Sequence, residues 1–117
     1  MDFLFVALGG AAGAVSRYAL SLVNVKLDFP LMTFITNIAG SFLIGLIASL
    51  CIKKACPKNL TLLLKTGFCG GFTTFSTFSL ESFTLIQSGN YFTAVLYMIL
   101  SVIFCVLGAA LGTFAVR

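Results

Sequence analysis

The sequence is short of charge. Of its 117 residues only 9% are Asp, Glu, Lys or Arg, and it has neither His nor Trp. A soluble domain carries about 25% charged residues, whereas this chain is 60% hydrophobic with a mean hydropathy of +1.14. We therefore interpret it as an integral membrane protein. Four spans of about 20 residues each would leave room only for short loops, which excludes a nucleotide-binding fold or a large catalytic pocket.

The usual metal-binding patterns are also missing. The chain has no His, and its four cysteines form no CxxC pair, so zinc, haem and iron–sulfur sites are not expected and no disulfide framework is indicated. The cysteines are Cys51, Cys56, Cys69 and Cys105, and we interpret them as small apolar packing residues. The net charge of +4 is spread along the chain, which argues against a nucleic-acid partner.

Four apolar stretches predict four membrane-spanning helices in a single transmembrane domain, 1–117. The spans cover about residues 3–23, 31–52, 60–88 and 91–116. Asp2 stands where a signal peptide has basic residues, and the apolar run that follows is longer than a signal peptide needs, so we assign it to the first span.

The positive charges favour one orientation. If the N-terminus is cytoplasmic, that side holds Lys53, Lys54, Lys58 and Arg117, while the opposite side holds Lys26. The positive-inside rule therefore favours a cytoplasmic N-terminus.

The third span is anomalous, because its middle reads GFCGGFTTFSTFS (67–79). Adjacent glycines are poor helix formers, and the hydroxyl groups after them offer the backbone other partners. We therefore predict a helix break near residues 70–74. Unwound backbone is tolerated at membrane depth only where protein or a water-filled cavity satisfies it, and several transport proteins use such breaks as ion sites. The alternative is a flexible kink that binds nothing.

Polar side chains form a stripe on each of two other spans, at i, i+4 and i+8. They are Thr33, Asn37 and Ser41 in span 2, and Tyr97, Ser101 and Cys105 in span 4. Other roles remain open: Asn37 could bond to another helix, Ser101 to its own helix, and Tyr97 could sit at the membrane interface. Beside a broken helix, the two stripes indicate a passage for a small polar solute or ion.

Four further residues within the spans need an explanation. Arg17 could extend to the headgroups or attract anions at a vestibule. Phe75 and Phe78 follow the predicted break among hydroxyl groups, and the positive edges of their rings could meet an anion without a full positive charge nearby. Glu81 would be a proton or cation carrier if it were central, but a structural hydrogen bond is at least as good an account.

Three motifs together resemble the CrcB/Fluc family of fluoride channels over the whole chain. They are GGFTTFSTFS (70–79) followed by Glu81, GGxxGAxxRY (9–18) and TxxxNxxGSFxxG (33–45). The resemblance implies an all-α, dual-topology homodimer of two antiparallel subunits in the inner (plasma) membrane, surrounded by lipid. This dimer would export cytoplasmic fluoride passively through two pores, and the charge bias fits awkwardly with insertion in both orientations.

The resemblance also assigns residues. It implies a structural sodium ion held at the centre of the dimer by the backbone carbonyls of Gly70 and Thr73. The pore residues that it implies are Phe75, Phe78, Asn37, Tyr97 and Ser101. The last position of the polar track falls on Cys105, where a hydroxyl would be a better donor.

Two other functions are consistent with the residues. A small multidrug-type antiporter would need a central carboxylate to exchange protons for cations, and Glu81 is the one candidate. A membrane scaffold without transport activity would use its glycines for packing alone.

Overall fold

A computed structural model describes residues 1–23 and 25–116. Asn24 and Arg117 lie outside the described residues, and Arg117 is one of the positive charges counted for the predicted orientation. All regular structure within those ranges is helical, which confirms the predicted all-α class. The helices are α1 (Asp2–Ser21), α2 (Leu31–Lys54), α3 (Lys58–Thr61), a π-helix (Leu62–Cys69), α4 (Gly70–Phe72), α5 (Phe75–Gln87) and α6 (Tyr91–Phe114). Segments α3, the π-helix and α4 follow one another directly, so the described chain forms four helices, the third of which has two parts.

Three of these helices, α1, α2 and α6, are long and apolar enough to cross a membrane. The molecule is 48 Å long, which compares with about 40–45 Å for a bilayer including its headgroup regions. Large apolar side chains cover its outside, with Phe3 92% and Phe92 81% exposed. A surface of this kind needs lipid or another protein around it, and the protein is accordingly a multi-pass membrane protein.

Both described ends of the chain lie at the same end of the helix bundle. The Lys58 ammonium lies 2.9 Å from the Asp2 carboxylate, and the Lys53 ammonium donates to the Val116 carbonyl at 3.2 Å. The turn between α2 and α3 therefore meets the start of α1 and the end of α6.

The third helix stops being helical at two threonines. Gly70 and Gly71 both lie within α4, and it is Thr73 (φ −89°, ψ 157°) and Thr74 (φ −151°, ψ 122°) that are extended before α5 begins. The low helix propensity of glycine therefore does not locate the interruption, and the side-chain hydrogen bonds described below account for its position.

Close backbone contacts hold α1 against the π-helix and α4, and α2 against α6. A methyl group at Gly9 would overlap the Leu63 carbonyl, and one at Gly13 would overlap the Phe68 carbonyl. On the other pair of helices, Gly112 lies in the same way against the Phe42 carbonyl. Small residues at these contacts let helix backbones approach closely in lipid.

The most buried cluster lies where α5 meets α6. Tyr97 and Ala94 are 0% exposed, and both contact Leu85. The rings of Phe29 and Phe78 lie 5.2 Å and 5.1 Å from the Tyr97 ring, centroid to centroid. Tyr97 is therefore a core residue that faces α5 rather than the membrane interface.

Candidate functional site

Asn37 holds the interruption of the third helix in place. Its side-chain oxygen accepts from the Thr74 backbone N–H at 2.9 Å, and its side-chain nitrogen donates to the Thr74 carbonyl at 3.2 Å. The amide thus supplies both partners that the extended residue has lost from its helix. Each such bond contributes about 1 kcal/mol.

The two threonines end one helix and begin the next. The Thr73 hydroxyl donates to the Cys69 carbonyl at 2.9 Å, and the Thr73 backbone N–H donates to the same oxygen at 3.1 Å. The Thr74 hydroxyl accepts from the Thr77 backbone N–H at 3.2 Å, which makes Thr74 the N-cap of α5. The interruption is therefore built from side-chain bonds on both sides.

A cavity of about 350 Å³ opens beside the interruption. Its polar lining comes from α2, α6 and the two extended threonines, and two phenylalanines from α5 border it. The polar and aromatic residues that line it are Asn37, Ser41, Cys69, Thr73, Thr74, Phe75, Phe78, Ser101 and Cys105. No Asp, Glu, Lys or Arg is among the described residues that line this cavity, so its polar groups are amides, hydroxyls and thiols.

The Ser101 hydroxyl has no hydrogen-bond partner among the described residues. The residue is 7% exposed, and its oxygen is buried at the cavity. An unpaired hydroxyl in a buried position costs about 1–3 kcal/mol. A buried hydroxyl without a protein partner normally bonds to a ligand or a water. The structure therefore leaves the Ser101 hydroxyl without a protein partner, and the bond to its own helix considered from the sequence is not formed.

Phe75 and Phe78 differ in their surroundings. Their ring centroids are 5.5 Å apart with the planes tilted by 43°. Phe75 is 77% exposed, whereas Phe78 is half-buried and contacts the Tyr97 ring. Both rings border the cavity, so ring edges that carry partial positive charge are available there.

Glu81 is bound by two neutral donors. The Thr33 hydroxyl donates to one carboxylate oxygen at 3.0 Å, and the Tyr97 hydroxyl donates to the other at 3.0 Å. The residues of each stripe predicted on spans 2 and 4 therefore lie in two different places. Asn37, Ser41 and Ser101 line the cavity beside the interruption, while Thr33 and Tyr97 donate to the carboxylate.

Arg17 lies at a second, smaller cavity of about 70 Å³. Its Nε donates to the Gly71 carbonyl at 3.2 Å, so the guanidinium is anchored within the protein. Thr74 borders both this cavity and the first one, and Thr33 borders this cavity and a third, of about 470 Å³, at the loop between α1 and α2. The three cavities thus adjoin one another along the bundle.

Several of these roles could not be assigned from the sequence. The capping bonds of Thr73 and Thr74 could not be located within a run of eight hydroxyl and aromatic residues (72–79), although Thr is a preferred N-cap residue. The bonds from Thr33 and Tyr97 to Glu81 join three different helices, and no spacing within one helix indicates them.

Comparison with known proteins shows which family the chain belongs to. Residues 4–113 match the family model described as "CrcB-like protein, Camphor Resistance (CrcB)". A protein named Fluoride-specific ion channel FluC from Ruminiclostridium cellulolyticum is 50% identical over 117 residues, covering 96% of this chain and 89% of the relative. Proteins of the same name from Azobacteroides pseudotrichonymphae and Coxiella burnetii are 46% and 44% identical, over 84% and 96% of this chain and 82% and 94% of theirs. The resemblance seen in the sequence is confirmed: the chain belongs to the CrcB family.

Proposed function

We propose that this protein is a fluoride-selective ion channel that lets cytoplasmic fluoride leave the cell passively. The unpaired, buried Ser101 hydroxyl beside the rings of Phe75 and Phe78 is the observation that carries the proposal. The names of the relatives, all fluoride-specific ion channels, identify the ion.

The lining suits a small anion with a strongly held hydration shell. A pore must replace the water around such an ion with donors of its own. Hydroxyl and ring-edge donors at the first cavity can do this without a fixed positive charge, which would hold the anion too tightly for rapid exit. Asn37 already gives one amide N–H to Thr74, and the second remains available because a side-chain amide has two.

Arg17 acts at the vestibule in this mechanism. Its Nε is committed to the Gly71 carbonyl, so the positive charge stays beside the second cavity and raises the local concentration of anions. The ion then passes Thr74, which borders both cavities, toward Asn37, Ser41 and Ser101. A membrane potential that is negative inside drives the anion outward.

Glu81 positions Thr33 and Tyr97 rather than carrying a proton. Its two oxygens accept from Thr33 and Tyr97. A multidrug-type antiporter would need this carboxylate free for its cation, so the bonds argue against that alternative. Glu81→Gln should keep substantial fluoride transport, whereas complete loss accompanied by proton coupling would favour the antiporter.

The proposal includes four membrane spans, the third broken at mid-depth, and a homodimer of two antiparallel copies. The 77% exposure of Phe75 supports the dimer, since a ring that borders the ion path should not face lipid. A second copy would cover it and complete the pore wall. Antiparallel copies share a two-fold axis in the membrane plane, so an ion on that axis meets the same atoms twice.

A structural sodium ion fits the end of α4. Helix C-termini leave carbonyl oxygens without intrahelical partners, and hard cations take oxygen ligands of this kind. A methyl group at Gly70 would meet nothing within 4 Å, so the surface there is open. The carbonyls of Gly70 and Thr73 would hold the ion together with those of the second copy, and the ion would supply charge and rigidity to the dimer.

Ion flux from liposomes tests the proposed function. Purified protein should release internal fluoride and retain chloride under the same gradient. Protein-free vesicles give the background rate. Silent vesicles would favour the scaffold alternative, and equal release of both halides would contradict a fluoride-selective channel.

A further inference from the structure

A thiol borders the cavity that the proposed function uses. Cys105 follows Ser101 by four residues on α6, which places both on the same face one turn apart. Cys105 is half-buried and lines the cavity together with Ser101. Ser101 is 7% exposed, and its buried hydroxyl has no partner among the described residues that could hold it away from the cavity. A reagent that enters this part of the cavity therefore meets Cys105.

The other three cysteines offer no equivalent target. Cys69 also borders the cavity but is only 1% exposed. Cys51 lies at the end of α2 and Cys56 follows it, and neither is among the residues that line the cavity. Hydrogen bonding to Cys51 raises the pKa of the Cys56 thiol, which disfavours its reactive thiolate form.

The surroundings of Cys105 select the kind of ligand. Among residues 1–23 and 25–116, no three His, Cys, Asp or Glu side chains come together as a metal-binding group. A metal that needs three or four protein ligands is therefore not suited to this place. Soft metal centres that bind a single thiolate, with one further non-protein substituent, need no more than one sulfur.

We propose that Cys105 is a covalent inhibition site for small thiophilic metal reagents, of which organomercury hydroxides are the chemical class best matched to the cavity. The inference rests on the proposed function, since it is fluoride flux that would be inhibited. In the reaction the S–H bond breaks and a sulfur–mercury bond forms. The hydroxide on the metal takes the thiol proton and leaves as water, so no oxidant or reductant is needed. The adduct then occupies the space beside Ser101 and blocks the path.

Methylmercury hydroxide applied to proteoliposomes tests this. The reagent should abolish most of the fluoride efflux of the wild type and leave that of Cys105→Ser, each compared with its own untreated rate. A Cys51→Ser/Cys56→Ser double variant is the matched control, and it should be inhibited like the wild type. A dithiol added afterwards should restore the flux of both inhibited proteins.

The outcomes separate the inference from the proposed function. Mass spectrometry of the treated wild type should find the adduct on the peptide that contains Cys105, and Cys105→Ala repeats the flux test without a hydroxyl. Equal inhibition of wild type and both Cys105 variants would overturn the inference, as would an adduct at Cys105 with unchanged efflux. Absence of efflux before any treatment would instead overturn the proposed function, and the inhibition with it.

Discussion

Replacement of Asn37 by Asp changes one side-chain group and removes one bond. The oxygen that accepts from the Thr74 backbone N–H at 2.9 Å is kept. The nitrogen that donates to the Thr74 carbonyl at 3.2 Å becomes a second carboxylate oxygen, so that a hydrogen bond turns into a contact between two acceptors. The variant therefore weakens the anchor of the interruption and adds negative charge to the wall of the cavity.

Both effects reduce fluoride flux, and the charge is the larger. Loss of a buried donor costs about 1–3 kcal/mol. An anion within about 4 Å of the carboxylate would be repelled by about 4 kcal/mol at an effective dielectric constant of 20, which corresponds to roughly a thousandfold lower occupancy. Asn37→Asp should therefore conduct fluoride far more slowly than the wild type.

Efflux from liposomes measures the effect, and two comparisons separate its causes. Asn37→Leu has similar size and no charge but loses both bonds to Thr74 and the amide donor, so it reports these losses without the added negative charge. Lowering the pH should restore part of the flux of Asn37→Asp, because the protonated carboxyl is neutral and can again donate to the Thr74 carbonyl. Protein-free vesicles at each pH give the background. Fluoride efflux through Asn37→Asp as fast as wild type, or faster, would refute the assigned role.

Four further variants test separate parts of the mechanism and the fold. Phe75→Ile and Phe78→Ile should each cut fluoride flux while the protein stays folded, because the polarised ring edges are lost; normal flux in both, measured in the liposome assay, would count against coordination by rings. Tyr97→Phe removes one of the two donors to Glu81 at a cost of about 1–3 kcal/mol, so thermal unfolding in detergent should show a destabilised protein, and an unchanged midpoint would contradict the bond. Gly13→Ala places a methyl group against the Phe68 carbonyl and should lower stability by about 1–3 kcal/mol, which the same unfolding assay can disprove.

The overall class was predictable because composition alone determines it. With so little charge and so many apolar residues, the chain can bury its backbone only as helices in lipid. Long apolar runs also marked α1, α2 and α6 to within a few residues. The third helix was harder, since the glycines and the hydroxyl groups after them predicted a break near residues 70–74, of which only Thr73 and Thr74 are extended. Tertiary bonds to Asn37 outweigh the local preference there.

The candidate site was predictable as a set of residues but not as an arrangement. Helical spacing correctly places residues on one face, yet it cannot say which neighbour that face meets. Tyr97 and Ser101 share a stripe on α6, but Tyr97 donates to Glu81 whereas the Ser101 hydroxyl has no partner among the described residues. The difference depends on where α5 lies, which no pattern within α6 contains.

The central claim is that neutral donors replace the water around the ion. Its most direct test compares the fluoride efflux of Ser101→Ala with that of Ser101→Thr. Removal of the unpaired hydroxyl should leave the fold at least as stable, since a buried group without a partner only costs free energy. The account predicts that Ser101→Ala folds but loses fluoride flux, while Ser101→Thr, which keeps a hydroxyl, retains it. Wild-type efflux from Ser101→Ala would contradict the account.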